Sequence, residues 1–87
     1  MNDIELVASV KVDFDYDAQL AAAYKRLEGG SGEGLQEVAH AIVGRNLLVT
    51  KMGALSRLGY RMESSPMRSL LREIDSCDEI LAVHGEV

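Results

Sequence analysis

Residues 4 to 14 read Ile4-Glu5-Leu6-Val7-Ala8-Ser9-Val10-Lys11-Val12-Asp13-Phe14. Apolar side chains fall at 4, 6, 8, 10, 12 and 14, and four of the five positions between them are polar. A period of two is that of a half-buried β-strand, with one set of side chains inward and the other toward water. Such a strand cannot stand alone, because its backbone N–H and C=O groups need a second strand to pair with. The chain is therefore expected to fold as mixed α and β, or to dimerise through this segment.

The rest of the chain offers possible partners. Asp15 or Asp17 can cap a helix running to about Leu27, with Leu20, Tyr24 and Leu27 on one stripe. The run Glu28-Gly29-Gly30-Ser31-Gly32-Glu33-Gly34 breaks it as a flexible link. A second helix follows, with Leu35, Val38, Ala39 and Ile42 on one face and Gly44 as its stop. Beyond Gly44 two readings compete. A long helix through Gly44 and Gly53 to about Tyr60 is one. A hairpin of Asn46–Met52 with Arg57–Ser64 is the other, and it is preferred because interior glycines and the run Leu47-Leu48-Val49-Thr50 lower helix propensity. Ser65-Pro66 then reads as a helix start, with Met67, Leu70, Leu71 and Ile74 as the buried stripe. Ile80-Leu81-Ala82-Val83 reads as a last strand or as more of that helix.

The resulting order, β-αα-β-β-α-β, resembles a ferredoxin-like split βαβ plait with an antiparallel sheet. This α+β fold is the expectation. The alternative is a mostly helical chain whose single N-terminal strand pairs in a dimer. Eighty-seven residues make one domain, spanning 1–87. A chain this short buries only a little over ~60% of its unfolded surface. With no Trp and one Phe, its core must be aliphatic and methionine-filled, and dimerisation would enlarge it. A homodimer is expected.

Charge is segregated along the chain. Residues 45 to 72 hold Arg45, Lys51, Arg57, Arg61, Arg68 and Arg72 against the single acid Glu63. Residues 1 to 44 carry eight acids against three bases, and residues 73 to 87 carry five acids and no base. Arg57, Arg61, Arg68 and Arg72 are the candidate partner-binding group, because guanidinium suits bidentate recognition of carboxylate or phosphate. The competing reading is that they neutralise the protein's own acidic ends and favour solubility.

No chemistry-bearing motif emerges. Asp13, Asp15 and Asp17 alternate like the start of a calcium loop, but Ala18 and Tyr24 stand where the turn Gly and bidentate Glu belong. The Gly-rich link has no Lys-Ser or Lys-Thr after it to serve a phosphate. His40 and His84 are far apart, no nucleophile motif is present, and one cysteine, Cys77, allows neither an internal disulfide nor a cysteine-based zinc site. No catalytic residue, metal or cofactor is expected. The acidic start and the lack of a long apolar run point to a cytoplasmic chain without signal peptide or membrane span.

The expected function is a small, non-enzymatic protein-binding or regulatory module. A second reading is an acidic inhibitor, of the type mobile elements encode, whose carboxylates imitate nucleic-acid phosphates. Asp13, Asp15, Asp17 and the acids from Glu73 to Glu79 would then be the contacts. Residues 7 to 43 also loosely follow the ribbon-helix-helix order, in which two copies insert paired strands into DNA. The outward positions Glu5, Ser9, Lys11 and Asp13 suit a polyanion poorly, so a nucleic-acid partner is disfavoured.

Overall fold

The structure, a computed structural model, describes residues 2–27 and 34–84. Four helices account for it in chain order: α1 Asp3–Ser9, α2 Tyr16–Leu27, α3 Leu35–Arg57 and α4 Ser65–Val83. No strand occurs among the described residues, so the α+β plait and its antiparallel sheet are overturned. The N-terminal strand of the helical alternative is likewise absent. The Gly-rich link, residues 28–33, lies outside the described residues.

The segment read as the first strand divides in two. Asn2 caps α1, its Oδ1 accepting from the Glu5 N–H at 2.8 Å, and Asp3 and Glu5 sit favourably in the first turn. A helix of seven residues is marginal in water, so tertiary contacts must hold it. Leu6, Val7 and Val10 supply them by packing on a core of Leu55, Met67 and Leu70. Lys51 Nζ donates to the Val7 carbonyl at 3.2 Å, and the Ser65 hydroxyl bonds the Asp3 carboxylate. Residues 6, 7 and 10 share a helical face as readily as 6, 8 and 10 share a strand face. Ile4, the first inward residue of the strand reading, is 80% exposed. The alternation survives only after α1, where Val10, Val12 and Phe14 are half-buried and Lys11, Asp13 and Asp15 are exposed. That stretch is neither helix nor strand, and Val10 at its start has an extended backbone, at φ −69° and ψ 117°.

In α2, Asp15 Oδ1 accepts from the Ala18 N–H at 3.1 Å, and Lys25 and Arg26 occupy the last turn. Ala23 is buried with Ala39 and Val43 of α3, flanked by Phe14, Tyr16, Leu20, Tyr24 and Leu27.

The hairpin expected at 46–64 is instead the second half of α3 and a connection. α3 runs 23 residues straight through Gly44 and Gly53. Its N-terminal half packs on α2 with Ala39 and Val43, and on α4 with Val38 and Ala41. A helix contacted from two sides is apolar on more than one face, and that blurs the period by which helices are recognised in sequence. It ends in a Schellman motif. Gly59, at φ +100°, donates to the Ser56 carbonyl at 3.0 Å, and Tyr60 N–H donates to the Leu55 carbonyl at 3.1 Å. Tyr60 then packs on the Leu55 cluster, the apolar contact that accompanies this motif.

α4 starts one residue earlier than expected, with Ser64 at the cap position and Pro66 in the first turn. Met67, Leu70, Ile74 and Leu81 are buried, whereas Leu71 is 36% exposed. The run Ile80–Val83 continues this helix and forms no strand. α3 and α4 are antiparallel, since Leu55 meets Met67 and Leu70 at one end while Glu37 meets His84 at the other. No helix among the described residues is long and apolar enough to cross a membrane.

Leu55→Ala removes a side chain with 0% exposure and is expected to destabilise the chain by about 2–5 kcal/mol in urea melts. Ile4→Ala is expected to change stability by less than about 0.5 kcal/mol. Equal losses at the two positions would restore the inward strand. Gly59→Ala forces a Cβ into the left-handed region and should cost about 1 kcal/mol, read in the same melts.

Candidate functional site: the outward face of α4

The four arginines singled out in the sequence take different places. Arg57 is exposed in the last turn of α3. Arg61, in the connection, pairs with Glu63 at 2.8 Å, both side chains largely in water. Arg68 and Arg72 are exposed one helical turn apart on α4. These two, with Ser65 and Leu71, line a shallow hollow of about 450 Å³. Arg57 and Arg61 are not in its lining. The structure therefore brings together Arg68 and Arg72 out of the four.

The α4 register explains this. Burial of Met67, Leu70, Ile74 and Leu81 against α3 rotates positions 68 and 72 to the opposite side. Arg72 Nη2 donates to Ser69 Oγ at 3.2 Å, and no acid among the described residues lies within ion-pair reach of Arg68 or Arg72. Arg72 also borders a second groove, of about 540 Å³, walled by Ile4 and Val7 of α1, Leu48 and Lys51 of α3, and Ser69 and Glu73 of α4. α1 thus flanks α4 on one side and leaves the arginine face open. Arg45, the fifth arginine of the basic segment, is engaged elsewhere, its Nε 2.7 Å from Asp78 Oδ1 across α3 and α4.

The same helix carries two exposed acids on that face, Asp75 and Glu79. With Arg68 and Arg72 they are spaced four, three and four residues apart, so all four fall in one stripe. Along the sequence the arginines and the acids suggest rival functions, whereas on α4 they share one surface. The spacing is visible in the sequence once Ser65–Val83 is taken as one helix.

The remaining chemistry-bearing side chains serve the fold. Tyr16 Oη and His40 Nδ1 share a hydrogen bond at 3.0 Å, and their rings stack with centroids 6.0 Å apart, which ties the start of α2 to α3. His84 Nε2 lies 3.1 Å from Glu37 Oε2 and closes the other end of the hairpin. Its ring lies against Gly34, where a Cβ would collide with the imidazole. Cys77 is a free thiol facing Gly44. Burial raises its pKa above the ordinary thiol value, Asp78 and Glu73 add to the rise, and Arg45 opposes it. Asp13, Asp15 and Asp17 are exposed, with Asp15 occupied in capping α2. No three His, Cys, Asp or Glu among the described residues gather to hold a metal ion. The ribbon-helix-helix order needs a strand where the structure has α1 and an irregular segment.

The fold and this face define a small protein that is all-α among the described residues, with a charged, outward helix surface. No known protein family, curated protein or solved structure matches it.

A raised thiol pKa leaves less thiolate at any given pH, so Cys77 should react slowly in the folded chain. Iodoacetamide alkylation near about pH 8 is expected to be slower than in urea, with the folded chain's rate profile shifted to higher pH. Equal rates in both states would show the thiol to be an ordinary exposed one.

Proposed function

We propose that this chain is a protein-binding, regulatory module whose contact surface is the outward face of α4, with Arg68 and Arg72 as its cationic contacts. One observation carries the reading: two exposed guanidinium groups, side by side over one hollow, form no ion pair among the described residues. Holding two like charges at i and i+4 opposes helix stability by a few tenths of a kcal/mol, about 0.2–0.5. Such a pair gains when a carboxylate surface is presented to it from outside, because each guanidinium can grip a carboxylate through two parallel N–H donors. Leu71 lies beside the arginines and adds apolar area to the contact, a combination typical of protein interfaces. The acidic-inhibitor reading fits less well, since the α4 acids share their stripe with two arginines. Cys77, the single cysteine and a free thiol, suits a reducing, cytoplasmic setting.

A photo-reactive residue at Leu71 tests the surface directly. It is expected to cross-link a protein in cells, and the adduct should disappear when Arg68 and Arg72 are both replaced by Glu. A similar probe at Met62, exposed in the α3–α4 connection, is the control and should give no such adduct. The double Glu variant should keep its stability within about 1 kcal/mol of the parent, because it alters exposed charges only. No adduct at position 71, or an adduct indifferent to the charge reversal, would end this reading.

A further inference from the structure

The charge order on the outer face of α4 is one that the helix alone does not favour. Arg68 and Arg72 stand at i and i+4 and repel, as do Asp75 and Glu79; only Arg72 and Asp75, at i and i+3 across the change of sign, attract. The helix dipole prefers acids near the N-terminus and bases near the C-terminus. Here the arginines occupy the N-terminal half and the acids the C-terminal half, with no acid in the first turn and no base in the last. The rest of the fold does not correct this. All four side chains are exposed, and none forms an ion pair among the described residues. Asp78, one residue from the stripe, shows the contrast: it faces α3 and is paired with Arg45 at 2.7 Å.

We infer that this face binds the same face of a second copy of the chain, laid antiparallel across a two-fold axis. The stripe is self-complementary under that operation. The register that sets Arg68 against the partner's Glu79 also sets Arg72 against the partner's Asp75, and the two-fold axis repeats both pairs. A parallel arrangement would oppose arginine to arginine and acid to acid, so charge alone selects the orientation. The seam runs about 16 Å along the helix, and the antiparallel arrangement also aligns the two helix dipoles favourably. α1 leaves room for it, because α1 walls a groove on the flank that carries Ser69, Glu73 and Ser76, and of the stripe only Arg72 borders that groove. This inference rests on the reading of the α4 face as a protein-contact surface and names its occupant. Because exposed ion pairs are screened, the association should be weak and should loosen as salt is added.

Sedimentation equilibrium of the whole chain at low ionic strength, from micromolar to submillimolar concentration, tests it. The wild type is expected to be a reversible dimer of two 9.5 kDa chains that dissociates with salt. An acidic variant, Arg68→Glu with Arg72→Glu, and a basic variant, Asp75→Arg with Glu79→Arg, should each be monomeric. Mixed in equal amounts they should form a heterodimer with a Kd within about tenfold of the wild-type value, since all four pairs are again opposite in sign. Recovery in the mixture separates lost contact from lost fold. A wild type that stays monomeric, a variant that dimerises as the parent does, or a mixture that fails to pair would each overturn the inference. A monomeric wild type that still cross-links a different protein through position 71 would overturn self-association alone. Absence of any cross-link there would remove the contact surface as well.

Discussion

Leu55 of α3 sits against Met67 and Leu70 of α4, immediately before and after the point where the chain reverses. The Schellman motif at Gly59 delivers Tyr60 to the same cluster, so the turn and the core reinforce each other. Burying each of these side chains is worth about 1.5–3 kcal/mol. The polar ties across the hairpin are weaker, because Arg45 and Asp78 are each about 40% exposed and such pairs contribute only ~0–1 kcal/mol. The apolar register therefore sets the alignment of the two long helices, and the ion pairs form where that alignment puts them.

α1 depends on this cluster as well. Its seven residues present Leu6 and Val7, with Val10 just beyond its end, to the Leu55 core, and Lys51 reaches back to the Val7 carbonyl. Without that surface the segment would have neither a strand partner nor enough length to be helical by itself. α2 uses the other end of α3, through Ala23, Ala39 and Val43. α3 is thus the element that both α2 and α4 share, which is why it is buried on more than one side.

The same register produces the charged face. Along the chain, the basic segment ends at Arg72 and the acidic one begins at Glu73, a boundary that falls inside α4. Once Met67, Leu70, Ile74 and Leu81 are turned inward, Arg68 and Arg72 and then Asp75 and Glu79 point outward in sequence. A change of sign along the chain becomes a bipolar stripe on one helix. Arg57 and Arg61 belong to the basic segment too, but the end of α3 and the connection carry them away from the stripe. The arginines that the structure brings together are a pair, and two of the acids, Asp75 and Glu79, are its neighbours.

Signals that act within one turn were legible in the sequence by itself: the Asp15 cap, the serine-proline start of α4 and the apolar spacing of Met67, Leu70 and Ile74. Each depends on a hydrogen bond or a φ preference that neighbouring residues settle between them. The segregation of charge was legible too. The state of residues 4–14 and 46–64 was not. Ile4-Glu5-Leu6-Val7 fits a strand or a helix equally well, and Leu47-Leu48-Val49-Thr50 favours a strand locally. Only tertiary structure decided these, because a strand needs another strand to satisfy its backbone, whereas a helix satisfies its own and asks only for an apolar surface to lie on. Leu55, Met67 and Leu70 supply that surface, and they come together only when the chain has folded back at Gly59.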